Sequence, residues 1–158
     1  MSRRPIVPAA LGLVAALALA GFSGATTTAE KQRVVFDQRE RPGWGTWTLL
    51  PINSGPVQAD KGKYTWSKTL DKSGLKDGQS YRHVVSTVTF VGQNGTLVVR
   101  EDDTIVSAAV GKEVVTGVWR VLRGTGSYEN VKGDGKLAAA LGFGRPDPWR
   151  YEGLLISP

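Results

Sequence analysis

The stretch from Trp119 to Leu137, WRVLRGTGSYENVKGDGKL, limits what this chain can fold into more than any other. It reads as strand, glycine turn, one aromatic, glycine turn, strand. Val118-Trp119-Arg120-Val121-Leu122 supplies a pairing strand ahead of the turns, and Lys136-Leu137-Ala138-Ala139 supplies one after them. Gly124, Gly126, Gly133 and Gly135 can take positive φ without a Cβ penalty, so β-hairpin geometry is written twice in this short span. Strands begun here need partners, and the rest of the chain must provide them.

It does so with the same grammar. Arg33-Val34-Val35-Phe36 reads as a first strand and Thr46 to Ile52 as a second, where Pro51 marks a strand end. Tyr64 to Leu70 alternates, which predicts that Tyr64, Trp66, Lys68 and Leu70 share one face. Ser80 to Val91, SYRHVVSTVTFV, is the longest β-branched run. Asn94-Gly95 then predicts a tight turn, returning Thr96 to Arg100 antiparallel to it. Further strands are expected at Thr104–Ala108, Lys112–Val115, Gly117–Leu122, Gly133–Ala140 and Trp149–Ile156, with Gly111-Lys112 either a bulge or a turn. No segment after Glu30 combines helical periodicity with a cap.

Many short strands with frequent turns predict a sandwich or a barrel. Closure into a ring removes exposed edges, and Gly117 and Gly153 inside strand text suit sharp bends. The expectation is therefore all-β: a single antiparallel, eight-stranded, calycin-like β-barrel over residues 30–158.

The first residues carry a different signal. Ser2-Arg3-Arg4 is a short basic start, Ile6 to Phe22 is apolar, and small residues follow at Ser23-Gly24-Ala25 and Thr27-Thr28-Ala29. That three-part pattern predicts a signal peptide over residues 1–29, cleaved after Ala25 or Ala29. The apolar run is shorter than the about 20 residues a span needs and holds Pro8 and glycines. Pro5 displaces the apolar residues a twin-arginine signal wants, so Sec export is favoured, and the expected location is the envelope or the medium. The mature chain is expected to keep no stable membrane insertion. Losing Arg3 and Arg4 lowers the formal charge from +6 to +4, and the remaining basic residues are scattered. No basic stripe with interleaved aromatics points to nucleic acid. The chain has no cysteine, so no disulfide staples the fold.

Around the opening stretch the sequence resembles the allene oxide cyclase and dirigent barrel superfamily. Arg123-Gly124-Thr125-Gly126-Ser127-Tyr128 is similar to the family's Gly-Gly-Thr-Gly turn, with Arg123 in place of its first glycine. Gly133 to Leu137 fits the glycine-bearing strand that follows, and Gly95-Thr96-Leu97-Val98-Val99 looks like a Gly-x-Leu-x-Val strand. The resemblance covers roughly the C-terminal half of the mature chain. It implies an eight-stranded antiparallel barrel with an apolar cavity, usually as a homo-oligomer, holding a small reactive substrate in the enzymes. The family's catalytic motifs do not align here, so no catalytic residue is carried over.

The residues themselves offer a short list. His83 is the sole histidine, which together with the absence of cysteine excludes centres built on several imidazoles or thiolates. No metal or other cofactor is called for. As a general base His83 would need a cavity and a carboxylate to orient it; it shares a strand face with Tyr81 and Val85, opposite Arg82 and Val84. Glu101-Asp102-Asp103 reads as a solvated or edge-protecting turn without calcium-loop spacing. Were the strand to continue, Glu101 and Asp103 would share a face, and adjacent carboxyls could raise one pKa. Ser127 is no nucleophile elbow, and Gly124-Thr125-Gly126 no phosphate loop, since no helix follows either. Five tryptophans, Trp44, Trp47, Trp66, Trp119 and Trp149, and four tyrosines either fill a barrel or line a pocket. Tyr81, Trp119, Tyr128, Trp149 and Tyr151 form the expected ligand-facing set, and His83, Arg100 and Glu101 are the catalytic candidates.

Two functions of different class stand at this point. One is a binding protein that holds a small apolar ligand in the barrel or acts through its surface. The other is a cofactor-free cyclase or isomerase, which works by positioning and leaves little motif to find.

Overall fold

The computed structural model describes residues 29–158 apart from 42, 43, 77 and 144–146. Residues 1–28 of the expected signal peptide lie outside these residues, as does the side chain of Trp44. Eight strands follow one another: β1 Glu30–Arg41, β2 Trp44–Pro51, β3 Asp60–Lys76, β4 Gln79–Gly92, β5 Thr96–Ala109, β6 Lys112–Gly124, β7 Lys132–Leu141 and β8 Asp147–Ser157. Each pairs antiparallel with the next, and β8 pairs with β1, so the sheet closes into an up-and-down barrel. Closure leaves no edge strand to template association.

Several expected strands are fragments of longer ones. Thr96–Arg100 and Thr104–Ala108 are one strand, β5, and Lys112–Val115 and Gly117–Leu122 are one strand, β6. The break between β5 and β6 is a turn at Val110-Gly111, where Gly111 takes φ +68°. The twofold hairpin expected over Trp119–Leu137 is a single connection. Gly126–Tyr128 forms a 3-10 turn between β6 and β7, and only Gly126 of the four glycines has positive φ. The others make room. A Cβ at Gly124 would overlap Tyr128, and one at Gly135 would sit 2.8 Å from the Trp119 indole nitrogen. Gly153 serves Trp119 in the same way, so it is a seat for a large ring rather than a bend.

A bulge on β3 changes the reading of its faces. Lys68 lies opposite Ser86 and Leu70 opposite Val85, with Thr69 inserted between them and its Oγ1 donating to the Val85 carbonyl at 3.1 Å. The insertion shifts the alternation by one residue, so Leu70 leaves the face that Tyr64, Trp66 and Lys68 share. Asp71, opposite Val84, returns to that inner face beside Lys68.

The interior divides into two halves. At the end where β2 meets β3, β4 meets β5 and β6 meets β7, large side chains fill the barrel. Phe36 and Phe90 stack at 5.7 Å between ring centroids, Trp119 meets Phe36 edge-on at 5.5 Å, and Trp47 tilts against Phe90 at 5.1 Å. Leu49, Leu97 and Leu155 are fully buried around them. Aromatic contacts of this kind add about 0.5–1.5 kcal/mol each beyond their burial. Toward the other end the packing gives way to a cavity.

Candidate functional site

The cavity has a volume of about 170 Å³. Its walls are apolar at Val84, Val88, Ile105 and Leu141, with the rings of Trp66 and Trp149 beside them. It reaches solvent past Trp66, which is 50% exposed, and past the half-exposed Lys68 and Arg82. Its polar groups are Gln38, Ser86, Glu101, Asp103 and, near the mouth, Lys68, Arg82 and Glu113. A space of this size matches roughly one aromatic ring, since a buried cavity of about 150 Å³ takes up benzene.

Strand alternation puts the carboxyls there. Leu97, Val99, Glu101, Asp103 and Ile105 follow one another at every second position of β5, and all are buried. The run Glu101-Asp102-Asp103 is therefore no solvated turn. It is the middle of a strand paired on both sides, and pairing carries the acids inward whatever their charge. Asp102, on the opposite face, points out.

Glu101 is well provided with partners. Ser86 Oγ donates to its Oε2 at 2.9 Å, and the Tyr151 hydroxyl lies 2.6 Å from its Oε1. The same hydroxyl lies 2.8 Å from Gln38 Oε1. A phenol has one proton to give, so three oxygens in this row need a second one. Either a Gln38 amide turned so that its NH2 donates to the Tyr151 oxygen, or a protonated Glu101, supplies it. Burial pushes the Glu101 carboxyl up, against the opposing effect of its Tyr151 and Ser86 hydrogen bonds. Burial also pushes the Tyr151 phenol well up, with the nearby Glu101 carboxyl adding to it, so Tyr151 stays protonated.

Asp103 is treated differently. The residue is 2% exposed, and its Oδ1 has no hydrogen-bond partner among the described residues. Gly117, across the pairing on β6, leaves the space: a Cβ there would overlap the Asp103 carboxyl. Burial, with repulsion from Glu101 and Asp102, pushes the Asp103 carboxyl up to about 8. At neutral pH it holds a proton. The indole Nε1 of Trp149 is likewise buried without a partner among the described residues.

The basic groups at the mouth are already engaged. Asp71 accepts from Lys68 Nζ at 2.8 Å and from Arg82 Nη2 at 2.9 Å. Those two hydrogen bonds, that from Arg82 foremost, hold the Asp71 carboxyl down at about 2. Lys68 Nζ also lies 5.9 Å from the centroid of the Trp66 ring.

The candidates read from the sequence fall into three places. Glu101 and Trp149 line the cavity, and Tyr151 sits beneath it, bonded to Glu101. Trp119 and Tyr128 belong to the packed half, their polar atoms engaged by the Lys136 carbonyl at 3.1 Å and by Asp60 at 2.9 Å. His83, Arg100 and Tyr81 lie on the outer wall. His83 Nε2 does meet a carboxylate, Asp102 Oδ1 at 2.7 Å, with Arg100 3.9 Å from Oδ2, but all three side chains face away from the cavity. Tyr81 lies against Gly74 of β3, its ring 2.8 Å from where a Cβ would stand.

Gln38 and Ser86 are not among those candidates, and Asp103 enters only through the conditional reading that a continuous strand would put it on one face with Glu101, which β5 bears out: Leu97-Val99-Glu101-Asp103-Ile105 keeps a period of two through the acids. Gln38 and Ser86 carry no signal of their own. Comparison of the chain with protein-family models, with curated proteins and with solved structures gave no match.

Proposed function

We propose that this chain is an exported small-molecule-binding barrel whose cavity takes one small ligand with a largely apolar body. The observation that carries the reading is the contrast inside a single barrel. One half is filled by rings, and the other keeps a space with apolar walls and an inward carboxyl, Asp103, whose Oδ1 has no hydrogen-bond partner among the described residues. A core built only for stability would fill such a space, because each unfilled site and each unmatched buried polar group costs free energy. The resemblance to the allene oxide cyclase and dirigent group supports the same choice of cavity.

The second reading, a cofactor-free cyclase or isomerase, is favoured by one observation: two buried carboxyls, Glu101 and Asp103, line the cavity side by side, where burial pushes both up toward the acid form. In that reading Asp103 gives its proton to a ligand oxygen, and Glu101, fixed by Ser86 and Tyr151, positions the ligand beside it.

Native mass spectrometry of protein recovered from its own medium tests the first reading. The expected result is a co-purified molecule, one per chain, that is lost in Val84→Phe, where a larger ring fills the cavity. A ligand retained unchanged in Val84→Phe would place binding elsewhere. The second reading expects Asp103→Asn to keep the bound molecule and abolish its conversion.

A further inference from the structure

We propose that the cavity selects a small organic cation, an amine on a body about one ring in size, with its ammonium set against Asp103. The proposal rests on the reading of the cavity as a ligand site and adds the charge of the ligand to it.

Three observations point to a cation. The first is the kind of titratable group at the site. The chain as a whole is basic, with a formal charge of +6, yet the inner part of the cavity is lined by two carboxyls, Glu101 and Asp103, which turn anionic on losing a proton, while the lining cations Lys68 and Arg82 stand at its mouth. The charged and titratable groups around Asp103 are Glu101 and Asp102 on β5, Lys68 and Asp71 on β3, Arg82 on β4, Glu113 on β6 and Tyr151 on β8, while β1 offers the neutral Gln38. Both basic groups are bound to Asp71 at the mouth and are not spent on Asp103.

The second is the missing donor. Ser86 and Tyr151 lie on Glu101, and Asp103 Oδ1 has no donor among the described residues. An ammonium brings three donors and a charge that favours the ionised carboxylate. A neutral hydrogen-bonding site would be made more cheaply by Asn or Ser, without the desolvation cost that burial imposes on Asp103.

The third is the wall. Trp66 and Trp149 flank the space, and aromatic faces attract cations. Lys68 Nζ already lies 5.9 Å from the centroid of the Trp66 ring.

Binding then exchanges one cation for another. The proton on Asp103 leaves for the buffer as the ammonium arrives, no covalent bond is made or broken in the ligand, and the carboxylate is left paired. This gives a readout that needs no variant.

The experiment is a calorimetric titration of the purified chain at pH 7 with benzylammonium, benzyl alcohol and benzoate, three probes that share one ring and differ in charge. Benzylammonium is expected to bind at least about tenfold tighter than benzyl alcohol, with benzoate weakest. Its binding heat is expected to change with the ionisation enthalpy of the buffer, in the direction of proton release. Asp103→Asn is expected to bring benzylammonium down to the level of benzyl alcohol and to leave the alcohol unchanged. Equal affinity for the amine and the alcohol, or amine binding with no proton release, overturns the charge proposal and leaves the cavity reading standing. Failure of all three probes to bind overturns both.

Discussion

Asp60 and Asp103 are both buried aspartates of one barrel, and the fold treats them in opposite ways. Asp60, at the packed end, accepts from the backbone N–H groups of Lys61 and Gln93 at 2.8 Å, from that of Asn94 at 3.2 Å and from the Tyr128 hydroxyl at 2.9 Å. It thereby ties the start of β3 to the β4–β5 turn and the β6–β7 turn. Those two turns are also joined directly, through Ser127 N to the Asn94 carbonyl at 2.9 Å and Thr125 N to the Thr96 carbonyl at 2.8 Å. Burial, with the Asp60 carboxylate beside it, pushes the Tyr128 phenol up and keeps it a donor. Asp103, toward the cavity end, has an oxygen with no donor at all among the described residues. The difference teaches how the two ends are built. The carboxyl that closes the fold is surrounded by donors from the chain, and the one beside the cavity is not.

The comparison can be broken experimentally at Asp60. Asp60→Ala leaves several donors without an acceptor and is expected to cost about 3–5 kcal/mol in urea unfolding. A loss below about 1 kcal/mol would mean that the packed end does not depend on this knot.

Asp103→Asn should act in the opposite direction and depend on pH. The folded pKa lies above the unfolded one, so the folded chain binds more protons between about pH 4 and pH 8. Stability contributed by the neutral carboxyl is full below the unfolded value and is lost as pH rises toward 8. Asp103→Asn removes that loss, and a gain of up to about 5–6 kcal/mol over the parent is expected at pH 9, vanishing by pH 4. A gain of the same size at both pH values would remove titration from the account.

Tyr128→Phe takes one donor from Asp60 and keeps the ring, so about 1–2 kcal/mol is expected, measured by the same unfolding curves. The smallest effect belongs to the outer wall. His83→Gln breaks a solvent-screened pair with Asp102 and is expected to change stability by less than about 1 kcal/mol and to leave any cavity ligand bound. Loss of the co-purified molecule in this variant would move the site to the outer face.

The strands were largely legible because β-branched alternation is local. Ser80 to Val91 and Thr96 to Val99 could hardly be anything else, but ten segments are read where the ring has eight strands, because β5 and β6 each run through a stretch that looks like a break. What misled was equally specific. Three acids in a row hid the alternation on β5, since charge is a reliable mark of solvent only where no tertiary pairing overrides it. Leu70 was misplaced because one inserted residue, Thr69, inverts every face beyond it, and a bulge has no sequence signature here. Asp60 stood out in no pattern: its four donors come from residues 61, 93, 94 and 128, which only the closed barrel brings together.

By itself the sequence determined that this chain makes short antiparallel strands joined by glycine turns, because backbone preference and period-two burial act over a few neighbouring residues. Only the tertiary structure decided that His83 faces out while Glu101 and Asp103 face in, and that Gly117 makes room for one of those carboxyls. Those choices depend on register between strands far apart in the chain. Register is set by how the whole ring closes, and no local stretch of residues carries that information.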